Sequence, residues 1–243
     1  MNSNLSQSYI KHLKELVQND QFKEALEYAD INEDKLGSEG LYLKGEIYSS
    51  AERSLHGITR NMKKAQLFYK QASDLGNSDA SYELGMMYYF GDLGKENIND
   101  SIFYLKKSVE QGNDLAMFEL ANLYYDNPKI ESSCDAINLY SRLVESDSDF
   151  KSDSMQKLGR IFYKGIFDSI PQDSLKAVEY LEQASALGSA NAKMDLAYLY
   201  FSGTLIKKDL TKALSYAESA GTEHILYDEV IEKITREIRK SNH

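Results

Sequence analysis

The sequence predicts an all-α fold of about five stacked helix-turn-helix units with a helical cap at each end. Three observations predict it. A small residue with similar neighbours recurs every 36 to 40 residues, a second helical phrase repeats in phase with it, and only two prolines, Pro128 and Pro171, occur in 243 residues. So few breakers favour long helical stretches over sheet. A repeat period of this size marks an array of stacked units.

In chain order, Leu5–Asn19 and Gln21–Asp30 read as a first helical pair, and Phe22 to Tyr28 resembles the second helix of a tetratricopeptide unit. Five anchors follow: Gly45, Gly85, Ala121, Gly159 and Ala197. Lys44, Leu84, Leu120, Leu158 and Leu196 precede them, and Tyr48, Tyr88, Tyr124, Phe162 and Tyr200 stand three residues after them. The second phrase runs from Lys64 to Ala72 in unit one and from Lys176 to Ala184 in unit four, with related runs from Asp100, Asp135 and Lys212. Gly76, Gly112, Gly188 and Gly221 close four units; Asp147 stands in that place in unit three.

Each piece has a physical reason. Ala80, Leu84 and Tyr88 fall four apart, on one helical face. A Gly or Ala at the anchor lets the paired helix approach closely. The closing Gly can take the left-handed conformation that ends a helix. Between the helices stand turn signals such as Gly91-Asp92-Leu93-Gly94 and Gly203-Thr204. One hairpin cannot bury its apolar face, so neighbours bury it for each other. The tail from Glu223 to Lys240 places Ile225, Val230, Ile231, Ile234 and Ile238 at mostly helical spacing. It reads as a capping helix, with a docking helix for a partner as the alternative.

These phrases resemble the Sel-like repeat family, relatives of the tetratricopeptide repeats. The resemblance covers about residues 38–221 as five units. It implies a right-handed α-solenoid of Sel-like repeats, with residues 1–37 as a degenerate tetratricopeptide-like cap and residues 222–243 as a C-terminal capping helix. Unit three departs most, with Asn127-Pro128 at the turn and no closing Gly. Unit one has a long connector at Ser49–Asn61. Many members carry a disulfide in each repeat; the single Cys134 forbids that here.

Composition narrows the function. Net charge is −10, which argues against a nucleic-acid binder, since that needs a basic face to displace counterions. It argues equally against docking on anionic membranes and suits steering towards a basic partner. One cysteine, no basic and apolar leader and no long apolar run lead to the expectation of a cytoplasmic protein.

Catalytic patterns are missing. His12, His56, His224 and His243 lie far apart in sequence and form no H-E-x-x-H pattern. Gly91 to Lys95 lacks the frame of a phosphate loop. The acidic run Glu145 to Asp149 with Asp153 lacks the glycine of a calcium loop. Cys134 is expected to be a buried or half-buried structural thiol. No enzymatic activity, metal or cofactor is expected.

In related solenoids the first helices of successive units line the concave face, and the resemblance carries that orientation over. Three columns on those helices then face outward. Three residues before the anchor stand Tyr42, Tyr82, Phe118, Gln156 and Met194; one after it Glu46, Met86, Asn122, Arg160 and Tyr198; four after it Ser49, Tyr89, Tyr125, Tyr163 and Phe201. The aromatics could pack between units, or they could form a ridge of the residue types enriched at interface hot spots. Residues 114–149 also carry 2 basic against 8 acidic residues, a net of −6.

The expected partner-binding residues are therefore Tyr42, Tyr82, Met86, Tyr89, Phe118, Asn122, Tyr125, Asp126, Arg160, Tyr163, Tyr198 and Phe201. The expected partner is another protein with a basic surface, bound by an adaptor; a sharper form is an immunity protein against a basic bacterial toxin, since bacterial members of the resembled family include such antagonists. A self-associating scaffold is an alternative, though a monomer is favoured, and a hydrolase is a more distant one.

Overall fold

The computed structural model describes residues 3–50, 57–127, 133–165, 170–222 and 224–241. Among these residues there are thirteen α-helices and no strand. The first two are α1 (Ser3–Gln18) and α2 (Phe22–Ile31). Five hairpins follow, each with a first and a second helix: α3 (Glu33–Ser49) and α4 (Met62–Asp74), α5 (Ser78–Phe90) and α6 (Ile98–Glu110), α7 (Asp114–Asp126) and α8 (Ser133–Glu145), α9 (Lys151–Lys164) and α10 (Ser174–Ala186), α11 (Ala190–Ser202) and α12 (Leu210–Ala220). The last is α13 (Tyr227–Ser241). Within α3 the chain kinks at Gly37, whose φ is 54°. Pro128, His56, Glu223, His243 and part of the unit-one connector lie outside the described residues.

Polar residues at fixed offsets start and stop these helices. At the end of α4, Gly76 has φ 88°, its N–H bonds the Ser73 carbonyl at 3.1 Å and Asn77 N–H bonds the Ala72 carbonyl at 3.0 Å. This crossed pair satisfies carbonyls that the helix end would otherwise orphan. Asn77 then turns its side chain to cap α5, accepting from Ala80 N–H at 2.8 Å. Gly112-Asn113 and Gly188-Ser189 repeat the device. One couplet thus ends a hairpin and begins the next with no loop between them.

Second helices start on Asn61, Asn97, Asp173 and Asp209, each accepting from the N–H three residues on. The backbone N–H of each of the four also reaches the carbonyl of Tyr48, Tyr88, Phe162 or Tyr200 at 2.8–2.9 Å. In unit three Asp147 does not take a left-handed φ, because a side chain there costs more than glycine. Its helix ends instead with Ser146 Oγ donating to the Leu143 carbonyl.

The anchors hold the two helices of each hairpin together. A Cβ on Gly45 would lie 2.5 Å from the Tyr69 ring, on Gly85 2.8 Å from Leu105 and on Gly159 2.6 Å from Leu181. These distances are below van der Waals contact, so a Cβ at any of the three would force the facing side chain to shift. One turn on, the recurring aromatics stack on the second helix: Tyr48 on Phe68, Tyr88 on Tyr104, Phe162 on Tyr180 and Tyr200 on Tyr216, with centroids 5.6–5.8 Å apart. Lys64, Lys176 and Lys212 cover three of these rings at 4.9–5.1 Å.

The chain forms two compact units, Met1–Glu119 and Leu120–His243. In the first, Leu13, Phe22, Ala25, Leu43 and Ile47 make one core, and Tyr69, Ala72, Leu84 and Met87 make the next. In the second, Met155, Leu181, Leu196 and Leu199 make one core, and Met194, Ala197, Ala213, Ala217 and Ile234 the other. Helix α13 packs on α11 and α12 through Ile234, which is fully buried, with Val230, Ile231 and Ile238 beside it.

Three expectations are corrected. Ile225 precedes α13 and is 93% exposed, so helical spacing in the tail starts only after it. Cys134 is exposed, because it lies in the first turn of α8 on the side away from the buried Ala136 and Tyr140. Gln156 and Met194 are 4% exposed: the column that runs outward in the first unit belongs to the interior in the second.

Candidate protein-binding surface

In the first compact unit, α5 turns Leu84, Gly85 and Met87 inward. Its opposite face therefore carries Asp79, Tyr82, Glu83 and Met86, spaced three and four apart. Helix α3, which touches α5, presents Tyr42 and Glu46 four apart. Tyr42, Glu46, Tyr82, Glu83 and Met86 are all half-buried. Tyr42 leans on the buried Tyr69, with ring centroids 5.9 Å apart, and the Tyr69 hydroxyl bonds Ser49 Oγ at 3.1 Å. Tyr89, at the end of the face, is 37% exposed and meets Phe90 edge-on. Phe118 is half-buried.

The electrostatics of this face are one-sided. Burial, then the neighbouring Glu46 and Asp79 carboxylates, pushes the Glu83 carboxyl up from its ordinary 4.5 to about 7. Among the described residues, Glu83 accepts no hydrogen bond and pairs with no cation. Burial chiefly, helped by Glu46 and Glu83, raises the Tyr42 phenol far above its usual range. Burial, then Glu119 and Glu83, pushes Tyr82 to about 12. Both phenols therefore stay neutral hydrogen-bond donors, and the negative charge of the face comes from its carboxylates, with Glu83 part-protonated near neutral pH.

In the second compact unit, Arg160 of α9 makes a bidentate pair with Asp195 of α11. Nε donates to Oδ2 at 2.7 Å and Nη2 to Oδ1 at 2.9 Å. Gln156 Nε2 donates to the same Oδ2 at 2.5 Å. The hydrogen bond to Asp195 raises the Arg160 pKa further. Asn122 accepts from the Tyr140 hydroxyl at 2.8 Å. Lys157 lies over the half-buried Tyr125 ring, and Lys208 over Phe201. Tyr163 packs against the core around Met155. Tyr198 is 54% exposed, and Asp126 is exposed.

Of the twelve expected residues, α3 and α5 bring Tyr42, Tyr82, Met86 and Tyr89 onto one unit's surface. Asn122 and Arg160 are engaged in bonds within the chain. Of the acidic block, Asp126, Glu145, Asp147 and Asp149 are exposed, and Glu131 lies outside the described residues. Sequence reasoning missed Glu83 and Asp195. Both stand two residues before an anchor, in a column with no aromatic in it; after Leu43 that column runs Glu83, Glu119, Lys157 and Asp195, and this run of charged residues is the available signal. Among the described residues no three His, Cys, Asp or Glu side chains converge to hold a metal ion, and no helix is long and apolar enough to cross a membrane.

Repeat anchors, closing glycines and hairpin pairing define a Sel1-type helical repeat protein. The Sel1 repeat family matches residues 36–77, 78–113, 152–189 and 190–223, more than half of the chain, and the chain belongs to that family, one of protein-interaction repeats. The unmatched stretch contains unit three. A Sel1 repeat protein from Oxalobacter formigenes superposes with a TM-score of 0.72 at 20% identity, over 86% of this chain and 83% of that one. Immunity protein Pa5087 from Pseudomonas aeruginosa reaches 0.46 at 16% identity, over 95% and 83%, too loose a superposition to bear on function. A curated relative, the ERAD-associated E3 ubiquitin-protein ligase component HRD3 of Candida glabrata, is 32% identical over 85 residues. The match takes in 35% of this chain and 9% of HRD3, so the chain spans a small fraction of that protein.

Proposed function

We propose that this chain is a protein-binding adaptor whose first-helix faces receive a partner with a basic surface. The observation that carries the reading is the α3–α5 face, where Tyr42, Tyr82, Met86 and Tyr89 stand beside Glu83, a carboxylate with no cation among the described residues. Half-buried tyrosines supply contact area at low entropic cost and a polar tip, the make-up of interface hot spots. The acidic character of the face supplies steering. Tyr125, Tyr163, Tyr198 and Phe201 stand at outward column positions on the second unit's own first helices. Antagonism of a basic protein, as by an immunity protein against a bacterial toxin, is the sharper form, supported by the net charge of −10.

The test is a kinetic one on a partner recovered from the native host by crosslinking and mass spectrometry. Tyr82→Ala and Tyr89→Ala should each speed dissociation by about tenfold or more, a loss of roughly 1.4 kcal/mol or more, while circular dichroism stays helical. Dissociation rates unchanged in both variants would place the binding surface elsewhere.

A further inference from the structure

The repeat register gives the two compact units equivalent positions. Arg160 stands one residue after its anchor, Gln156 three before it and Asp195 two before the next anchor, and the three are joined by hydrogen bonds. In the first compact unit the residues at those positions are Glu46, Tyr42 and Glu83. Helix α3 lies against α5 as α9 lies against α11. The geometry that holds a guanidinium between two first helices in one unit therefore recurs in the other, with a carboxylate where the arginine stands.

We infer that the α3–α5 site takes an arginine side chain from the bound partner, its guanidinium seated on the Glu83 carboxylate beside Tyr42 and Tyr82, in the place that Arg160 fills internally on Asp195. The inference rests on the proposed protein-binding role and names the group recognised there. A guanidinium suits the position because its planar fork pairs with a carboxylate in two parallel bonds, which an ammonium cannot do, and because its flat face stacks on aromatic rings. The groups facing Glu83 agree with that occupant. Glu46 and Tyr42 of α3, Tyr69 of α4, and Asp79 and Tyr82 of α5 are acidic or neutral. Burial, then its acidic neighbours, pushes the Glu83 carboxyl up to about 7, so seating a cation also drives a proton off it.

The experiment uses the full chain and two short fluorescent peptides. One alternates arginine and alanine; the other has citrulline, neutral and nearly isosteric, at each arginine. The arginine peptide should bind at about pH 8, and the citrulline peptide roughly tenfold or more weakly. Glu83→Gln should weaken the arginine peptide roughly tenfold, whereas Glu110→Gln, which removes the same charge from an exposed position on α6, should leave it unchanged. Glu46→Arg is the decisive variant. By completing the internal pair it should raise the melting temperature by about 2–4 °C and abolish peptide binding, a combination that misfolding cannot produce. Equal binding of the two peptides, equal effects of Glu83→Gln and Glu110→Gln, or a Glu46→Arg chain that binds as wild type overturns the inference. So does absence of arginine-peptide binding to the wild-type chain. In each of these cases the tyrosine kinetics with the native partner still decide the protein-binding role separately.

Discussion

Glu83→Gln should make the protein more stable, and more so as the pH rises. The glutamine is nearly isosteric and has almost the same helix propensity, so α5 itself is little changed. The Glu83 carboxyl titrates near 4.5 when unfolded and near 7 when folded. Below the lower value the group is protonated in both states and costs nothing. Between the two values the folded state holds a proton that the unfolded state has released, and stability falls as the pH climbs. Above the upper value the full cost is present. At about 1.36 kcal/mol per pKa unit the ceiling is about 3 kcal/mol. Glu83 is only half-buried, and solvent screening reduces this to about 1–2 kcal/mol. Urea denaturation of both chains at intervals between about pH 4 and pH 8 measures it: the midpoints should coincide at the acid end and diverge towards the alkaline end. A gain that is the same at every pH would falsify the electrostatic account, and no gain near pH 8 would show that Glu83 is well solvated. A carboxylate kept at this cost is consistent with a binding role, since functional surfaces commonly sacrifice stability.

Two further outcomes test the packing. Gly85→Leu should destabilise by about 1–3 kcal/mol through overpacking against Leu105, and Leu84→Ala by about 2–5 kcal/mol through the cavity it leaves; unchanged thermal melts for both would mean that the repeat register is wrong. Ile234→Ala should cost about 2–5 kcal/mol and speed amide hydrogen exchange in α13 ahead of α9 and α10, whereas uniform exchange would show that α13 contributes nothing separable.

Periodicity alone specifies the repeat and most of its internal logic. Anchor positions, closing glycines and recurring aromatics are local requirements: a left-handed φ as at Gly76, or a small residue at the anchor as at Gly85 and Ala197, recurs in most of the hairpins, so periodicity exposes it. The capping residues Asn61, Asn97, Asp173 and Asp209 recur at the repeat period between the helical phrases and are equally legible. What the tertiary structure alone decided is the fate of each outward column. Helical spacing names a face but not what the neighbouring helix lays on it. Met194 and Gln156 are buried while Tyr82 is half-exposed in the same column, and Cys134 is exposed although it opens an amphipathic helix. The charge that matters is likewise a relation between residues 35 or more apart in sequence, Arg160 satisfied by Asp195 and Glu46 set opposite Glu83. Composition counts those charges, and only the apposition of successive first helices makes one pair attractive and the other repulsive.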